Sequence, residues 1–372
     1  MSVKRILVLG GYGNFGSHIA RLLAPNGDIQ LVIAGRSGER AAAMAASLKA
    51  ANPAEGRAID IGGDLDAALR EAAPDMVIHT VGPFQGQSYA VAEACIRNGV
   101  HYADLADGRA FVAGIGALDA AARKADVLVV SAASSVPCLT AGIIDEALPR
   151  FSRIDEVDYG ISAAQQTNRG LATAASVLSY VGKPFATLSD GAWKTIYGWQ
   201  DLHAERYPEL GVRLFGNCDI PDLELFPVRY PDVKTIRFCA GHEIKLLHLG
   251  TWLLSWGVRS GLLPPLGRHS DRLLKWSFLL DPLGSSRSGF HMYLRGRGRD
   301  GSERIERFWI IARQGHGPYI PCTPAIILAK RLARGELHER GARPCLDLIG
   351  LDEFLAAIGH LDISIIREGH DD

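Results

Sequence analysis

Short apolar, β-branched runs alternate with alanine-rich segments of helical periodicity over the first 148 residues. Such runs predict buried strands, and the longer alanine-rich segments predict helices. The strands are predicted near 4–10, 29–35, 56–61, 75–81, 100–104 and 126–132, and the helices near 14–24, 37–51, 64–73, 86–98, 110–124 and 139–148. This order predicts an α/β fold with a doubly wound parallel sheet, in which ligands bind beyond the carboxyl ends of the strands.

The pattern changes near residue 149, where tryptophans, prolines and longer strand-like runs replace the alternation, so a second domain is predicted to begin there. Asp300-Gly301 separates two extended arms and predicts a tight β-hairpin, because glycine adopts the positive φ angle that such turns need. Helices are predicted over 244–261 and 268–281. A further helix is predicted to begin at Thr323, with a proline in its first turn.

The segment from Leu246, "LLHLGTWLLSWGVRSGLL", is the most apolar later stretch. His248 and Arg259 interrupt it, so a membrane-spanning helix is not expected. The favoured interpretation is a buried or interdomain helix. The alternative is an amphipathic helix on lipid, a peripheral membrane contact through 246–281, because Trp252 and Trp256 stand four residues apart on one helical face.

Composition and charge are typical of a soluble globular protein. Of the 372 residues, 47% are hydrophobic and 22% are charged. Forty Lys and Arg residues oppose 41 Asp and Glu residues, so no long-range attraction for nucleic acid is expected. The six cysteines are scattered without zinc-site spacing, and a strand begins within a few residues of Met1. We therefore expect a reduced cytoplasmic protein with no structural metal and no signal peptide.

A glycine-rich turn follows the first predicted strand directly, with the sequence Gly10-Gly11-Tyr12-Gly13-Asn14-Phe15-Gly16. It satisfies the G-x-G-x-x-G pattern between a strand and a helix. In this pattern one glycine permits the tight turn, one lets the backbone approach a pyrophosphate, and one lets the helix pack against the strand. The start of the helix offers free N–H groups and the positive end of its dipole. The turn therefore predicts a dinucleotide-binding site.

The residue at the end of the second strand selects between the two nicotinamide dinucleotides. An NAD site usually carries Asp or Glu there, to bind the ribose 2′-hydroxyl. Here Arg36 occupies the position, followed by Ser37. A guanidinium pairs with a 2′-phosphate, which a carboxylate would repel. NADP is therefore predicted over NAD, the alternative being that Arg36 only solvates the strand end.

Two further strand ends border the same predicted site. Asp60 follows the third strand and could face the adenine amino group. Gly82 and Pro83 follow the fourth strand and could shape the loop beside the pyrophosphate and the nicotinamide ribose. The alternative is that these residues belong to ordinary loops between a strand and a helix.

Four stretches together resemble the saccharopine dehydrogenase family, in its saccharopine-reductase-like branch with an NADP-binding domain. They are "LGGYGNFGSHIARLLA", "VIAGRS", "HTVGPFQGQSYAVAEACIRNGVHYADLADGRAFV" and "SAASSVPCLTAGIIDEAL". The stretch from Pro321 to Ile358 also resembles that family's closing helix and tail.

The resemblance implies a Rossmann domain over 1–148, an inserted α+β domain over 149–315 and a C-terminal segment, 316–372, that returns to the Rossmann domain. The inserted domain would supply the substrate side and often a homodimer contact. The implied cofactor positions are Gly11, Gly13, Asn14, Phe15, Gly16, Arg36, Ser37, Asp60 and the turn Gly82-Pro83-Phe84. The form "SSVP" departs from saccharopine reductases and is closer to bacterial relatives proposed as trans-acting enoyl reductases, which argues against saccharopine as the substrate.

Three residues are candidates for catalysis. Tyr102 and Asp104 alternate on the fifth strand, so their side chains point to the same side, and they match the family's pattern beside the nicotinamide. Asp104 could bind a substrate amine or transfer a proton, and Tyr102 could donate a hydrogen bond. A capping aspartate and a core tyrosine are the alternatives. The third candidate, His316, lies in a glycine-rich loop at the end of the inserted domain. His79 is not a candidate, because it lies in a strand-like run and is interpreted as a packed histidine.

The leading hypothesis is an NADP-dependent oxidoreductase that transfers hydride to or from a C=N, C=O or C=C bond of a small or acyl substrate. A trans-acting enoyl reductase of lipid biosynthesis is the second enzyme hypothesis. The non-enzymatic alternative is an NADP-binding scaffold or redox sensor.

Overall fold

A computed structural model describes residues 3–167 and 169–369. The chain forms two compact units. The first consists of Met1–Leu139 and Tyr319–Ala357, and the second of Thr140–Pro318 and Ile358–Asp372. The boundary after Leu139 lies within a helix, several residues before the change of pattern in the sequence.

Strands and helices cover most of the described chain. The strands are β1 (Lys4–Leu9), β2 (Ile29–Gly35), β3 (Glu55–Ala58), β4 (Met76–His79), β5 (His101–Asp104), β6 (Leu128–Ser131), β7 (Phe151–Ala163), β8 (Pro184–Ser189), β9 (Ala192–Tyr197), β10 (His203–Tyr207), β11 (Gly211–Asn217), β12 (Thr235–His242), β13 (Ser288–Gly298), β14 (Glu303–Ala312), β15 (Gly341–Pro344) and β16 (Ile363–Glu368). The α-helices are α1 (Asn14–Leu23), α2 (Gly38–Ser47), α3 (Leu65–Ala72), α4 (Ala90–Arg97), α5 (Arg109–Ala113), α6 (Asp119–Lys124), α7 (Ser135–Ala147), α8 (Leu171–Ser179), α9 (Asp222–Arg229), α10 (Lys245–Arg259), α11 (Ser270–Phe278), α12 (Thr323–Ala333) and α13 (Leu351–Ala357).

The first unit contains a seven-stranded sheet in the order β15-β6-β5-β4-β1-β2-β3. Every neighbouring pair in it is parallel. The fold class is therefore confirmed as a doubly wound α/β sheet, and each of the six strands predicted there is present. Because parallel strands carry helices on both faces, β1 and β4 are apolar and buried throughout their centres.

The second unit contains a mixed seven-stranded sheet in the order β10-β11-β12-β7-β13-β14-β16. β12 pairs with β7 in parallel, and the other neighbours are antiparallel. The predicted hairpin joins β13 to β14 through Gly301, which has a φ of 81°. Helices α10 and α11 match the two helices predicted for this region.

The chain end differs from the sequence-based expectation for 316–372. Residues 319–357 return to the first unit, where β15 adds a strand beside β6. β16 instead pairs with β14 in the second sheet, and Ile363 and Ile365 lie opposite Ala312 and Ile310. An edge strand joins whichever sheet offers free backbone groups, which local sequence does not specify. Residues 370–372 of the expected frayed tail lie outside the described residues.

Helix α10 also differs from expectation, because its apolar side faces outward. Leu246 and Leu253 are 69% and 61% exposed, whereas His248 and Ser255 on the opposite side are wholly buried. The favoured interpretation of a buried helix is therefore wrong for the leucine-rich side. Within the described residues, no helix is both long enough and apolar enough to cross a membrane.

A buried carboxyl group links three elements of the second unit. Asp222, at the start of α9, is wholly buried and accepts hydrogen bonds from the hydroxyls of Thr140 (2.6 Å) and Tyr159 (2.9 Å). Burial raises the pKa of Asp222 from 3.8 to about 7, because the charged form has lost its hydration. The folded protein therefore keeps a proton here that the unfolded chain has released above about pH 4.

We expect the stability of the protein to fall as the pH rises from about 4 to about 7, through the raised pKa of Asp222. The Asp222→Asn variant carries a neutral amide at all pH values and lacks this contribution. Its free energy of unfolding should therefore rise relative to that of the wild type by up to about 4 kcal/mol across the window. Urea unfolding at several pH values measures the difference. Parallel pH profiles for the two proteins would contradict the assignment.

Candidate functional site

The glycine-rich turn lies between β1 and α1 and is hydrogen-bonded to β2. Gly10 has a φ of 78°, a conformation that glycine adopts without steric cost. The N–H groups of Gly10 and Gly11 both donate to the carbonyl oxygen of Ala34, at 2.8 and 3.0 Å. These two bonds hold the turn at the carboxyl end of the sheet.

The turn and the helix approach each other closely because Gly16 has no side chain. A Cβ atom on Gly16 would lie 2.3 Å from the carbonyl oxygen of Gly10, too close for any other residue. Gly13 is the N-cap of α1 and provides no capping side chain. The N–H groups in the first turn of a helix have no acceptor within the helix. The cradle therefore fits a pyrophosphate, which would accept these hydrogen bonds.

Tyr12 forms a wall beside the cradle. Its ring packs on Gly35, where a Cβ atom would lie 2.6 Å from the ring. Its hydroxyl accepts a hydrogen bond from the N–H of Ser37 (3.0 Å), and the guanidinium of Arg40 lies 4.4 Å from the ring centre. Ser37 in turn caps α2 through its hydroxyl. Tyr12 and Ser37 thus shape the strand end that Arg36 follows.

Arg36 is the free cation at this strand end. Its side chain is exposed, and it makes no hydrogen bond or ion pair with the described residues. Arg40, four residues later on α2, is also exposed and brings a second guanidinium to the same strand end. Arg40 was not among the residues predicted from the sequence, because its approach to Tyr12 depends on how α2 packs.

Asp60 is exposed beyond β3, and its carboxylate accepts a hydrogen bond from the N–H of Gly62 (3.1 Å). This contact stabilises the turn in which Asp60 lies. A contact with adenine stays a prediction.

The loop after β4 is held by a glutamine that our sequence analysis missed. The side-chain amide of Gln87 donates to the carbonyl oxygens of Val81 (2.8 Å) and Pro83 (2.7 Å). The Gly82-Pro83 peptide bond is cis. The Gln87 side chain therefore fixes the loop at the carboxyl end of β4. The glycine turn follows β1, the strand next to β4 in the same sheet.

His79 and Tyr102 form a buried pair on β4 and β5. The Nδ1 atom of His79 lies 3.0 Å from the Tyr102 hydroxyl, and Phe84 packs against the imidazole with ring centres 5.1 Å apart. Burial lowers the pKa of His79 to about 4 and raises the pKa of Tyr102 well above its usual value. Both groups are therefore neutral at physiological pH, and Phe84 is a core residue.

Asp104 ends β5 in a wholly buried position. Its Oδ1 atom accepts hydrogen bonds from the N–H groups of Ala132 (2.7 Å) and Ala106 (2.9 Å) and from the hydroxyl of Ser131 (3.0 Å). Burial raises the pKa of Asp104 to about 6, against the effect of these bonds. The carboxylate thereby joins the ends of β5 and β6. Asp104 does not cap the next helix, α5, whose N-cap is Gly108. A direct role of Asp104 in catalysis stays a prediction.

His316 lies in the second unit, in the turn after β14. Its Nδ1 atom accepts a hydrogen bond from the N–H of Asp362 (2.8 Å), so the neutral ring carries its proton on Nε2. Arg313 nearby pairs with Glu209 and Asp362. The turn is therefore bound to the segment before β16. A catalytic part for His316 stays a prediction.

Among the described residues, no cluster of three or more histidine, cysteine or acidic side chains could hold a metal ion. The six cysteines are free and buried.

Comparisons with known proteins agree with this geometry. Residues 6–140 match the saccharopine dehydrogenase NADP binding domain. The saccharopine dehydrogenase (L-Glu forming) of Saccharomyces cerevisiae is similar in fold, with a TM-score of 0.66 and 13% identity over 98% of this chain and 100% of that chain. The amine dehydrogenase of Mycobacterium smegmatis has a TM-score of 0.47 and 11% identity over 92% of this chain and 95% of that chain. A comparison with curated protein sequences found no match.

The glycine cradle, the parallel sheet and the domain match identify the first unit as the nicotinamide dinucleotide-binding domain of a dehydrogenase-type oxidoreductase. The resemblance found in the sequence is thereby confirmed. Over residues 6–140 the chain matches the saccharopine dehydrogenase NADP binding domain, and its fold is similar to that of a saccharopine dehydrogenase.

Proposed function

We propose that the protein is an NADP-dependent oxidoreductase that transfers hydride to or from a C=N, C=O or C=C bond of a small or acyl substrate. The observation that carries the choice of NADP is Arg36, an exposed guanidinium without a partner among the described residues, at the end of β2. A 2′-phosphate offers pairs of anionic oxygens that a planar guanidinium binds in a bidentate manner. Arg40, in the first turn of α2, adds a second positive charge near this strand end.

Each part of the site has a separate task in this proposal. When bound, a nicotinamide dinucleotide supplies or accepts the hydride. The glycine turn and the start of α1 hold the pyrophosphate, and Arg36 holds the 2′-phosphate. Gln87 keeps the loop after β4 in one conformation beside the cofactor. Asp104 holds the ends of β5 and β6 together, which keeps the floor of the site rigid.

We expect wild-type protein to bind NADPH at least tenfold more tightly than NADH, because only NADPH presents the 2′-phosphate to Arg36. Fluorescence titration measures both dissociation constants. A panel of amino-acid conjugates and of keto and enoyl compounds then tests turnover. Equal affinities would refute the selectivity. Binding without turnover would favour the scaffold alternative, and absence of binding by either dinucleotide would refute the proposal.

One observation favours the trans-acting enoyl reductase as a second candidate. The leucine-rich side of α10 is exposed, which suits a protein whose substrate is carried at an apolar surface. Turnover of enoyl thioesters without turnover of amino-acid conjugates would support this candidate over the first.

A further inference from the structure

Helix α10 exposes a row of apolar side chains, whereas an ordinary surface helix buries its apolar side. The buried side carries three polar residues, His248, Thr251 and Ser255, and one apolar residue, Val258. The exposed side carries leucines and a tryptophan at intervals of three and four residues, Leu246, Leu249, Leu253 and Trp256. Core packing therefore does not explain this apolar side, which needs a partner outside the unit.

The exposed apolar surface continues beyond α10. Leu262 in the following loop, Trp276 on α11 and Leu279 just after it are also exposed, the last two by 67% and 77%. Ten of the sixteen exposed large apolar side chains among the described residues lie within 246–283. We call these ten side chains the α10–α11 surface.

The two helices that carry this surface belong to one packed layer. Val258 of α10 and Leu266 of the connecting loop share a buried cluster, against which Leu254 and Leu273 pack. The backbone of Leu263 is bound to α10, since its N–H donates to the carbonyl oxygen of Gly257 (2.9 Å). The inner sides of both helices are thus packed within the unit. Their outer apolar side chains have no such packing and are exposed.

Unpaired positive charge accompanies the α10–α11 surface. Lys245, Arg268 and Arg272 are exposed and make no ion pair with the described residues. The acidic residues of the same segment are neutralised, because Asp271 pairs with Lys275 and Asp281 pairs with Arg169. Leucines with indoles and free Lys and Arg side chains are the combination that binds the interface of an anionic bilayer.

We infer that the α10–α11 surface binds the face of an anionic lipid bilayer, with the leucine and tryptophan side chains entering the interface. Charge argues against a second copy of the chain as the occupant. A two-fold contact between identical surfaces would place Lys245, Arg268 and Arg272 of each copy against the same surface of the other, where like charges repel. This inference does not depend on dinucleotide binding by the first unit.

Co-sedimentation with vesicles tests the inference. Wild-type protein should bind vesicles of phosphatidylglycerol and phosphatidylcholine much more tightly than vesicles of phosphatidylcholine alone. Leu253→Glu should weaken binding to the anionic vesicles by at least about tenfold, because it places a charge in the apolar contact. Val228→Glu, at an 84% exposed position on α9, is the matched control and should bind as the wild type does. Arg268→Glu with Arg272→Glu should reduce binding by about fivefold or more per residue.

Tryptophan fluorescence gives a second readout. Vesicles should shift the emission to shorter wavelength, and Trp276→Phe should reduce this shift whereas Trp193→Phe should not. Far-UV circular dichroism and the melting temperature show that each variant is folded, and NADPH titration reports on the first unit separately. Undiminished vesicle binding by Leu253→Glu, or no binding by the wild type, would overturn the inference. A dimer in analytical ultracentrifugation that Leu253→Glu dissociates, without vesicle binding, would overturn it in favour of a second copy.

Discussion

Replacing Arg36 by alanine is expected to weaken the binding of NADPH by about 30- to 150-fold and to leave the affinity for NADH nearly unchanged. The variant loses a charge-assisted, bidentate contact with the 2′-phosphate, which contributes about 2–3 kcal/mol. NADH lacks this phosphate and makes no such contact. Fluorescence titration of both dinucleotides against the variant and the wild type measures the change.

Arg70→Ala is the matched control for this experiment. Arg70 is an exposed arginine of α3 in the same unit, and it should affect neither dinucleotide. An equal loss of affinity for NADPH and NADH in Arg36→Ala would show that Arg36 supports the fold of the site and does not select the cofactor. A retained preference for NADPH would instead transfer the selectivity to Arg40.

Replacing Asp104 by alanine is expected to destabilise the protein by about 3–5 kcal/mol. The carboxylate accepts hydrogen bonds from Ala106, Ser131 and Ala132 in a wholly buried position. Its removal leaves these buried donors without an acceptor, at a cost of about 1–3 kcal/mol for each. Urea unfolding measures the loss, and a change below about 1 kcal/mol would contradict the structural part assigned to Asp104.

Asp104→Asn separates the structural part of Asp104 from the predicted catalytic part. Its amide oxygen can accept the same hydrogen bonds, so the variant should fold and bind NADPH. With a substrate in hand, a large loss of kcat with unchanged NADPH affinity and melting temperature would support proton transfer by Asp104. Unchanged kcat would assign the residue to the architecture alone.

The dinucleotide-binding turn and its neighbouring cation could be predicted from the sequence because the residues that indicate them lie close together in the chain. The glycine turn, the strand before it and Arg36 all lie within one strand-helix-strand segment, in which spacing along the chain fixes spacing in the structure. Gln87 could not be predicted from the sequence, because its side chain donates hydrogen bonds to two carbonyl groups that come together only in the folded loop. Tyr102 and Asp104 were found by position, but their burial depends on elements that surround them in space.

The sequence by itself determined the alternation of strands and helices in the first unit, the glycine turn and the cation at the end of β2, because periodicity and backbone conformation act over a few residues. Only the tertiary structure decided that β15 and β16 join different sheets, that Oδ1 of Asp104 accepts three buried hydrogen bonds, and that the leucine-rich side of α10 faces outward. These outcomes depend on which distant segments compete for the same backbone groups and the same apolar surface, and no local pattern carries that information.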